Sequence, residues 1–286
     1  MHARSALFDV YGDHLLARGG AAPVAVLVRL LRPLGITAPA VRTAISRMVR
    51  QGWLEAVRLP AGPGYRLTEH ARRRLDDAAA RIYRTRERPW TGSWDLLVLQ
   101  LPTSRSARER IRSGLGFLGY AALTDSTWIS PFASAEVQVL LDAEGIEHAR
   151  FAAADERPAA RAAQAWDLEA LASAYRRWHQ DAKALVREPA SGGVDGSGPP
   201  VDADEHAFAV RSRLVHEWRK FLFSDPGLPA ELLPPHWPGD EAARFFAQEA
   251  ERLLPAASRH VDTCLAEVGA AEAHPGAVVA PTDRNR

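Results

Sequence analysis

Residues 37–67 have the sequence TAPAVRTAISRMVRQGWLEAVRLPAGPGYRL. Thr37 and Pro39 favour the start of a helix and Gly52 favours its end. Residues 53–67 continue as two short strands around a turn rich in proline and glycine, which is the pattern of a β-hairpin. The stretch therefore predicts a helix followed by an antiparallel hairpin.

The predicted helix separates apolar side chains from polar and basic ones. Its apolar side consists of Val41, Ala44, Ile45, Met48 and Val49, and its polar side of Arg42, Thr43, Ser46, Arg47 and Arg50. Arginine pairs bidentately with guanine in the major groove, so we predict that Arg42 and Arg47 contact base edges. Thr43 and Ser46 have the reach for a base or a phosphate. A solvated helix face is the alternative.

Two further helices are predicted upstream, over residues 5–18 and from Pro23 to about residue 31. The second of them joins the helix in residues 37–51 through a tight Pro-Leu-Gly turn, which gives a helix-turn-helix. The hairpin then completes a winged helix, and a last helix follows to about Arg86. Arg58 and Arg66, on the hairpin, are candidate phosphate contacts.

The charge is distributed unevenly along the 286 residues, although the net charge is only +1. Residues 1–88 contain 16 arginines and 7 acidic side chains, a net charge of +9, whereas residues 89–187 carry −1 and residues 188–286 carry −7. Concentrated positive charge favours nucleic-acid phosphates through counterion release. The charge distribution therefore indicates a nucleic-acid partner for the N-terminal segment.

The middle of the chain alternates strands with helices. Strands are predicted over 94–101, 119–124, 127–130 and 147–152, and helices over 104–118 and 134–143. This β-α-β-β-α-β order is typical of a ferredoxin-like domain, which we assign to residues 89–155. A scaffold or a dimer interface is the expected role.

The same domain resembles the small CRISPR-associated nucleases that share its fold, and those enzymes use an aspartate near the end of the first strand. Gln100 stands at that position here, so the carboxylate that a metal ion would need is absent. Asp95 and Asp125 have no partner at ligand spacing. These observations argue against catalysis, and a metal-dependent nuclease acting through this domain is the alternative function. A non-specific architectural DNA-binding protein is a third possibility.

Gly114, Gly116 and Gly119 match the G-x-G-x-x-G pattern of dinucleotide sites. Such a site needs a strand before the glycines and a helix after them, so that the pyrophosphate meets a helix N-terminus. The predicted order is the reverse. We therefore interpret these glycines as a helix end and a turn.

The C-terminal part is predicted to be mainly helical over residues 156–268, with a flexible Gly/Ser/Pro-rich loop at 188–203 and a disordered tail at 269–286. Helical patterns cover about 166–186, 204–223 and 239–268. The predicted fold class is thus α+β and multidomain, with an N-terminal winged helix-turn-helix over 1–88, the ferredoxin-like middle domain and this helical domain.

Two separated blocks resemble the PaaX family of transcriptional repressors of phenylacetic-acid catabolism. The first consists of residues 5–18 together with AVRTAISRMVRQGWL at 40–54. The second is HEWRKFLFSDPGLP at 216–229, followed by LLP at 232–234 and WPG at 237–239. The resemblance spans roughly residues 5–268. It implies a winged-helix repressor that binds a double-stranded DNA operator as a homodimer and is released by an aryl-acyl-CoA thioester, typically phenylacetyl-CoA.

An acyl-CoA effector needs an apolar slot for its acyl group and cations for its phosphates. Candidates for these roles are Tyr175, Arg176, Trp178, His179, Trp218, Arg219 and Lys220, with Phe221 and Phe223 as further slot residues. The alternative is that these aromatic residues form core and these cations lie on the surface.

Other functional classes lack support in the sequence. Cys264 is the single cysteine and no histidine pair has zinc-ligand spacing, so neither a disulfide framework nor a metal site is expected. No nucleophile elbow or Walker loop is present, and we expect neither enzymatic activity nor a cofactor. Without a signal sequence or a membrane-spanning run, the protein is expected in the cytoplasm and away from membranes.

Overall fold

The computed structural model describes residues 1–73, 75, 89–189 and 202–273, the last five of these as backbone only. Most of the predicted loop at 188–203 and of the predicted tail at 269–286 lies outside the described residues. The tail was predicted to be disordered from residue 269, but residues 269–273 continue the last helix. The end of the helix predicted to reach Arg86 lies outside them as well.

Helices and strands alternate in the N-terminal half, and helices dominate the C-terminal half. The elements are α1 (Ala3–Val10), β1 (Ala21–Pro23), α2 (Val24–Leu31), α3 (Ala38–Arg50), β2 (Leu54–Leu59), β3 (Gly62–Leu67) and α4, described over 69–73. They continue with β4 (Ser93–Leu99), α5 (Arg105–Phe117), β5 (Ala121–Ala122), β6 (Thr127–Ser130), α6 (Glu136–Ala143), β7 (His148–Ala154), α7 (Pro158–Ala165), α8 (Leu168–Leu185), α9 (Ala203–Trp218), α10 (Phe221–Ser224) and α11 (Pro238–Ala273).

Packing divides the chain into two compact units. Unit 1 consists of Met1–Ala79, Ala184–Glu217 and Gln248–Arg286, and unit 2 of Ala80–Lys183 and Trp218–Ala247. Each unit therefore combines an N-terminal stretch of the chain with pieces of the C-terminal helices.

The predicted helix and hairpin of residues 37–67 are confirmed as α3, β2 and β3. The predicted helix over 5–18 is present too, but it changes from α1 into a π turn at Tyr11–Leu15 and a 3₁₀ turn at Leu16–Arg18. Gly19, with φ of 91°, ends it.

A strand that the sequence did not predict, β1, makes the hairpin a three-stranded antiparallel sheet in the order β1-β3-β2. Its Ala-Ala-Pro sequence has low strand propensity, and it is held by pairing with Gly64, Tyr65 and Arg66. Gly64 is required there, because a Cβ atom would lie 2.7 Å from the carbonyl oxygen of Ala22.

The C-terminal helices complete the core of unit 1. Phe208 of α9 and Val261 and Cys264 of α11 are buried in one cluster with Leu7, Leu27 and Met48 of the first three helices. Each of these side chains is at most 1% exposed. The N-terminal helices and hairpin therefore share their hydrophobic core with α9 and α11.

In unit 2, the predicted β-α-β-β-α-β order of the middle segment is confirmed. Its four strands form an antiparallel sheet in the order β5-β6-β4-β7. Leu97 and Leu99 of β4 pack against Ile111 of α5 and Leu141 of α6 in one buried cluster. One face of the sheet thus carries both helices.

The interpretation of the G-x-G-x-x-G pattern is also confirmed. Gly114 and Gly116 lie in the last turn of α5, and Gly119, with φ of 87°, follows its end and precedes β5. The glycines therefore follow a helix and precede a strand, which is the reverse of the order that a dinucleotide site requires.

Candidate nucleic-acid interface

Helix α3 presents a continuous polar and basic surface to solvent. Arg42, Thr43, Ser46, Arg47 and Arg50 are all exposed, while Val41, Ala44, Ile45 and Met48 are buried. Val49 was predicted on the buried side and is 36% exposed, because it lies at the border between the two faces. The division of the helix is otherwise as predicted.

The start of α3 differs in one detail. Thr37 occupies the N-cap position with extended backbone, but its side chain makes no capping hydrogen bond. Pro39 in the first turn supplies the preset φ angle that favours the helix start. The hydroxyl of Ser46 donates to the carbonyl oxygen of Arg42 at 3.1 Å, so its lone pairs remain available to a donor.

The arginines of this surface are not neutralised within the described part of the chain. Arg42, Arg47 and Arg50 form no ion pair with any described acidic residue, and neither does Arg58 on the hairpin. Arg66 differs, because its guanidinium lies 2.9 Å from a carboxylate oxygen of Glu55 on the neighbouring strand. A phosphate contact from Arg66 would have to compete with that pair.

Basic residues elsewhere in unit 1 do meet acidic partners. Arg18 pairs with Asp262 at 2.8 Å, Arg29 pairs with Glu267, and Arg32 lies 3.5 Å from Glu205. All three carboxylates belong to α9 and α11. Part of the negative charge of the C-terminal segment therefore neutralises the α1–α2 side of the N-terminal segment, and the positive charge on α3 remains.

Two buried polar contacts that were not predicted from the sequence join the first helix to α9. Arg211, 3% exposed, donates from Nε and Nη2 to the two carboxylate oxygens of Asp13 at 2.8 and 2.6 Å. Its Nη1 donates to the carbonyl oxygen of Ala250. One turn earlier in α1, Oδ2 of Asp9 accepts from Nδ1 of His216 at 2.7 Å.

The signal for the first contact is present in the sequence. Arg211 follows the apolar run Ala207–Val210 in α9 and is itself followed by Leu214 and Val215. A charged residue on such an apolar face is rarely buried without a partner. The sequence does not reveal which of 35 acidic residues that partner is.

His14 lies in the same buried region. Burial lowers the pKa of this imidazole to about 4, and the neighbouring carboxylate of Asp13 opposes that shift. Although Nε2 of His14 is 3.2 Å from Asp13, that carboxylate already accepts two hydrogen bonds from Arg211. The imidazole is therefore neutral near pH 7.

Three aromatic residues predicted for the effector site meet in unit 2. Tyr175 stacks on Phe221 with ring centroids 4.0 Å apart, and Trp178 lies 4.7 Å from Trp218. The Tyr175 hydroxyl donates to Asp225. Tyr175, Trp178 and Trp218 are all buried, so these rings form part of the core. We use the name aromatic cluster for the rings of Tyr175, Trp178, Trp218, Phe221 and Phe246, together with Asp225, which is hydrogen-bonded to Tyr175.

The predicted cations are distributed around this cluster with different surroundings. His179 packs on Phe245 at 4.9 Å and lies 3.6 Å from Glu241, and Arg176 is exposed and 3.5 Å from Glu169. Lys220 is exposed and Arg219 is half-buried. Phe223, a further predicted slot residue, is 67% exposed and therefore stands outside the buried cluster.

The acidic residues considered for a nuclease site are engaged otherwise. Arg150 donates to both carboxylate oxygens of Asp95 at 2.8 and 3.0 Å, and Tyr120 donates to the same group. Asp125 is 88% exposed and lies 4.0 Å from Arg112. Over the described ranges, no three His, Cys, Asp or Glu side chains are grouped as metal ligands, and no helix is long and apolar enough to cross a membrane.

Comparison with known proteins gives consistent results along the chain. Residues 2–71 match a family model described as PaaX-like protein, residues 87–165 match the PaaX protein central Cas2-like domain, and residues 166–263 match the PaaX-like protein C-terminal domain. The Cas2-like match agrees with the β-α-β-β-α-β order of the middle segment.

Two individual proteins are similar over most of their length. The transcriptional repressor PaaX of Escherichia coli strain K12 is 33% identical over 265 residues, which cover 88% of this chain and 81% of that protein. The uncharacterized protein Rv0674 from Mycobacterium tuberculosis superposes with a TM-score of 0.63 at 26% identity, covering 92% of this chain and 98% of the other. By this extent of identity, the chain belongs to the PaaX family.

Proposed function

We propose that this protein is a DNA-binding transcriptional repressor of an aromatic-acid operon of the phenylacetate type. The observation that carries the proposal is the exposed face of α3, on which Arg42, Arg47 and Arg50 meet no described carboxylate. The similarity to a transcriptional repressor over 81% of that repressor's length supports it independently.

In this proposal, residues 1–88 are a winged helix-turn-helix domain in which α2 and α3 form the helix-turn-helix and β2 and β3 form the wing. Arg42 and Arg47 contact base edges in the major groove, since their guanidinium groups match guanine bidentately. Thr43, Ser46 and Arg50 contact bases or phosphates beside them. Arg58 and Arg66, on the wing, contact phosphates and fix the register of the protein on the duplex.

The protein is further proposed to bind a two-fold operator as a homodimer, with half-sites about 10 bp or a multiple of that apart. An aryl-acyl-CoA such as phenylacetyl-CoA releases it. The effector would bind at or beside the aromatic cluster, with Arg176, His179, Arg219 and Lys220 toward the phosphates. Because the cluster is packed, the acyl group would enter by displacing one of its rings. The effector would then bind more tightly to the state of the protein in which that ring is displaced, and so favour this state.

Specific DNA binding is tested by a mobility shift of the duplex upstream of the protein's own gene, with unlabelled specific or scrambled duplex as competitor. A repressor requires that the specific competitor be far more effective, since specific sites typically bind about 10³–10⁷ times more tightly than other DNA. Equal competition by both duplexes would indicate an architectural DNA-binding protein. Cleavage of plasmid or RNA with Mg²⁺ or Mn²⁺ that Asp95→Ala abolishes would indicate the nuclease.

The effector is tested by thermal unfolding of the full chain against a panel of acyl-CoA thioesters that includes phenylacetyl-CoA, acetyl-CoA and free coenzyme A. A ligand at 100 times its Kd stabilises the folded state by about 2.7 kcal/mol, which gives a clear rise in Tm. The proposal requires a larger rise with an aryl-acyl thioester than with free coenzyme A. Equal rises would contradict the role of the acyl group.

A further inference from the structure

The ten residues from His216 to Asp225 take part in the packing of both units. His216 belongs to unit 1, and the chain passes into unit 2 between Glu217 and Trp218. Contacts made at the two ends of this segment therefore belong to different packing groups. We call residues 216–225 the connecting segment.

At its first residue, the connecting segment bonds to α1. The side chains of His216 and Asp9 are 12% and 4% exposed, and Nδ1 of His216 lies 2.7 Å from Oδ2 of Asp9. Asp13 and Arg211 form a second contact between the same two elements. The two elements are antiparallel, since Asp13, the later residue of the first, meets Arg211, the earlier residue of α9. The first helix is thus fastened to α9 at two buried points.

The helical stretch that receives these contacts has an unusual backbone. Asp13 lies in the π turn at Tyr11–Leu15, which inserts wider hydrogen-bond spacing into an otherwise regular helix. Turns of this kind are rare and are frequently found at functional sites. Asp9, one turn earlier, still lies in the regular part of α1.

Beyond Glu217, the remaining part of the connecting segment forms the aromatic cluster. Trp218 stacks on Phe246 with centroids 4.8 Å apart, Phe221 stacks on Tyr175, and Asp225 accepts a hydrogen bond from the hydroxyl of Tyr175. Only one residue separates His216 from Trp218, and both lie in the same helix, α9. One continuous helix therefore carries both the hydrogen bond to Asp9 and the first ring of the aromatic cluster.

We infer that Asp9 and His216 are positioning residues that transmit effector binding from the aromatic cluster to the DNA-binding helices. This inference rests on the proposed function and adds the contact through which release occurs. Binding that displaces Trp218 or Phe221 moves the end of α9 and breaks the Asp9–His216 hydrogen bond. The effector then acts by favouring the state in which that bond is absent, because a ligand shifts an equilibrium only through differential affinity.

The test measures DNA affinity of the full chain with and without saturating phenylacetyl-CoA, for wild type, Asp9→Ala and His216→Ala, neither of which can form the hydrogen bond. The ratio of the two Kd values is the coupling factor, which is typically about 5–150 in allosteric proteins. Asp204→Ala is the matched control, since Asp204 also lies in α9 and pairs with Arg259 at 2.7 and 2.9 Å. The Tm of each variant records any loss of stability separately.

We expect Asp9→Ala and His216→Ala each to lower the coupling factor by more than about threefold, mainly by weakening DNA binding without the thioester, while Asp204→Ala leaves it within that limit. Smaller changes in both variants would overturn it, even if Tm falls, and so would an equal decrease in the control. If phenylacetyl-CoA does not release the wild-type protein from DNA, both the proposed effector and this inference are wrong. If wild type does not bind the duplex at all, the proposed function itself fails.

Discussion

Arg211 and Asp13 form a buried, bidentate ion pair although 198 residues separate them in the sequence. Their side chains are 4% and 7% exposed, so both charges have left bulk water. The third donor direction of Arg211 is used by the carbonyl oxygen of Ala250. The pair thus joins the π turn, α9 and α11 inside the core of unit 1.

We expect Arg211→Met to lower the free energy of unfolding by about 3–5 kcal/mol, because it leaves the buried carboxylate of Asp13 without its cationic partner. Urea denaturation monitored by circular dichroism measures this change. Arg259→Met is the control, since Arg259 and its partner Asp204 are 61% and 26% exposed and such a pair contributes at most about 1 kcal/mol. Similar losses in the two variants would contradict the importance of burial.

Gly64→Ala is expected to destabilise the three-stranded sheet by about 1–3 kcal/mol, since the new Cβ would meet the backbone oxygen of Ala22 at 2.7 Å. The same urea titration is suitable. Gly116→Ala is the matched control, because a Cβ there meets nothing within 4 Å and lies in a helix, where alanine is favoured by roughly 0.5–1 kcal/mol. A neutral Gly64→Ala would disprove the close approach of β1 to β3.

Removal of Arg47 should affect specific DNA and non-specific DNA differently. We expect Arg47→Ala to weaken binding to the specific duplex by about 1–3 kcal/mol with a much smaller effect on a scrambled duplex. Fluorescence anisotropy with both duplexes measures this. Equal loss on the two duplexes would contradict the base contact and assign Arg47 to phosphate.

Arg58→Ala should instead weaken binding to both duplexes by a similar factor, because a phosphate contact carries no base information. Arg244→Ala controls for the loss of one positive charge, as Arg244 is exposed on α11 and lies in unit 2. A loss confined to the specific duplex would move Arg58 from the phosphate contacts to the base contacts.

Acid should destabilise unit 1 through His14. The unfolded chain takes up a proton near the ordinary histidine pKa of 6.5, whereas the buried imidazole does so only at about 4. The unfolded state therefore binds more protons between these values, and the free energy of unfolding falls as the pH is lowered from 6.5 to 4, by up to about 3 kcal/mol. Urea titrations across this range should show a shallower dependence for His14→Leu, and an unchanged dependence would contradict a neutral buried His14.

Much of the local structure could be predicted because the relevant forces act over a few residues. Helix α3 follows from helical spacing of Val41, Ile45 and Met48 with Gly52 at its end, and the middle segment follows from the alternation of short apolar runs. The reversed order of helix and strand around Gly114–Gly119 was sufficient to reject a nucleotide site. Each of these elements is determined by residues that lie close together in the sequence.

The features that escaped prediction depend on distant parts of the chain. Strand β1 has low strand propensity of its own and is held by its pairing with β3. The contacts Asp13–Arg211 and Asp9–His216 require a fold that brings α9 against the first helix, which no local pattern encodes. The same is true of the aromatic cluster, because the packing of Tyr175 against Phe221 and of Trp178 against Trp218 joins parts of the chain that are far apart in the sequence.

The central claim is that the exposed face of α3 binds DNA, and the salt dependence of binding tests it most directly. Anisotropy at 50 and 200 mM salt compares wild type with an Arg42→Gln, Arg47→Gln, Arg50→Gln variant on the duplex upstream of the gene. A dimer that neutralises 6–10 phosphates should lose about 10³–10⁵ in affinity between these concentrations, and the variant should bind more weakly and with a shallower slope. Equal affinity and equal slope for the two proteins would contradict the claim.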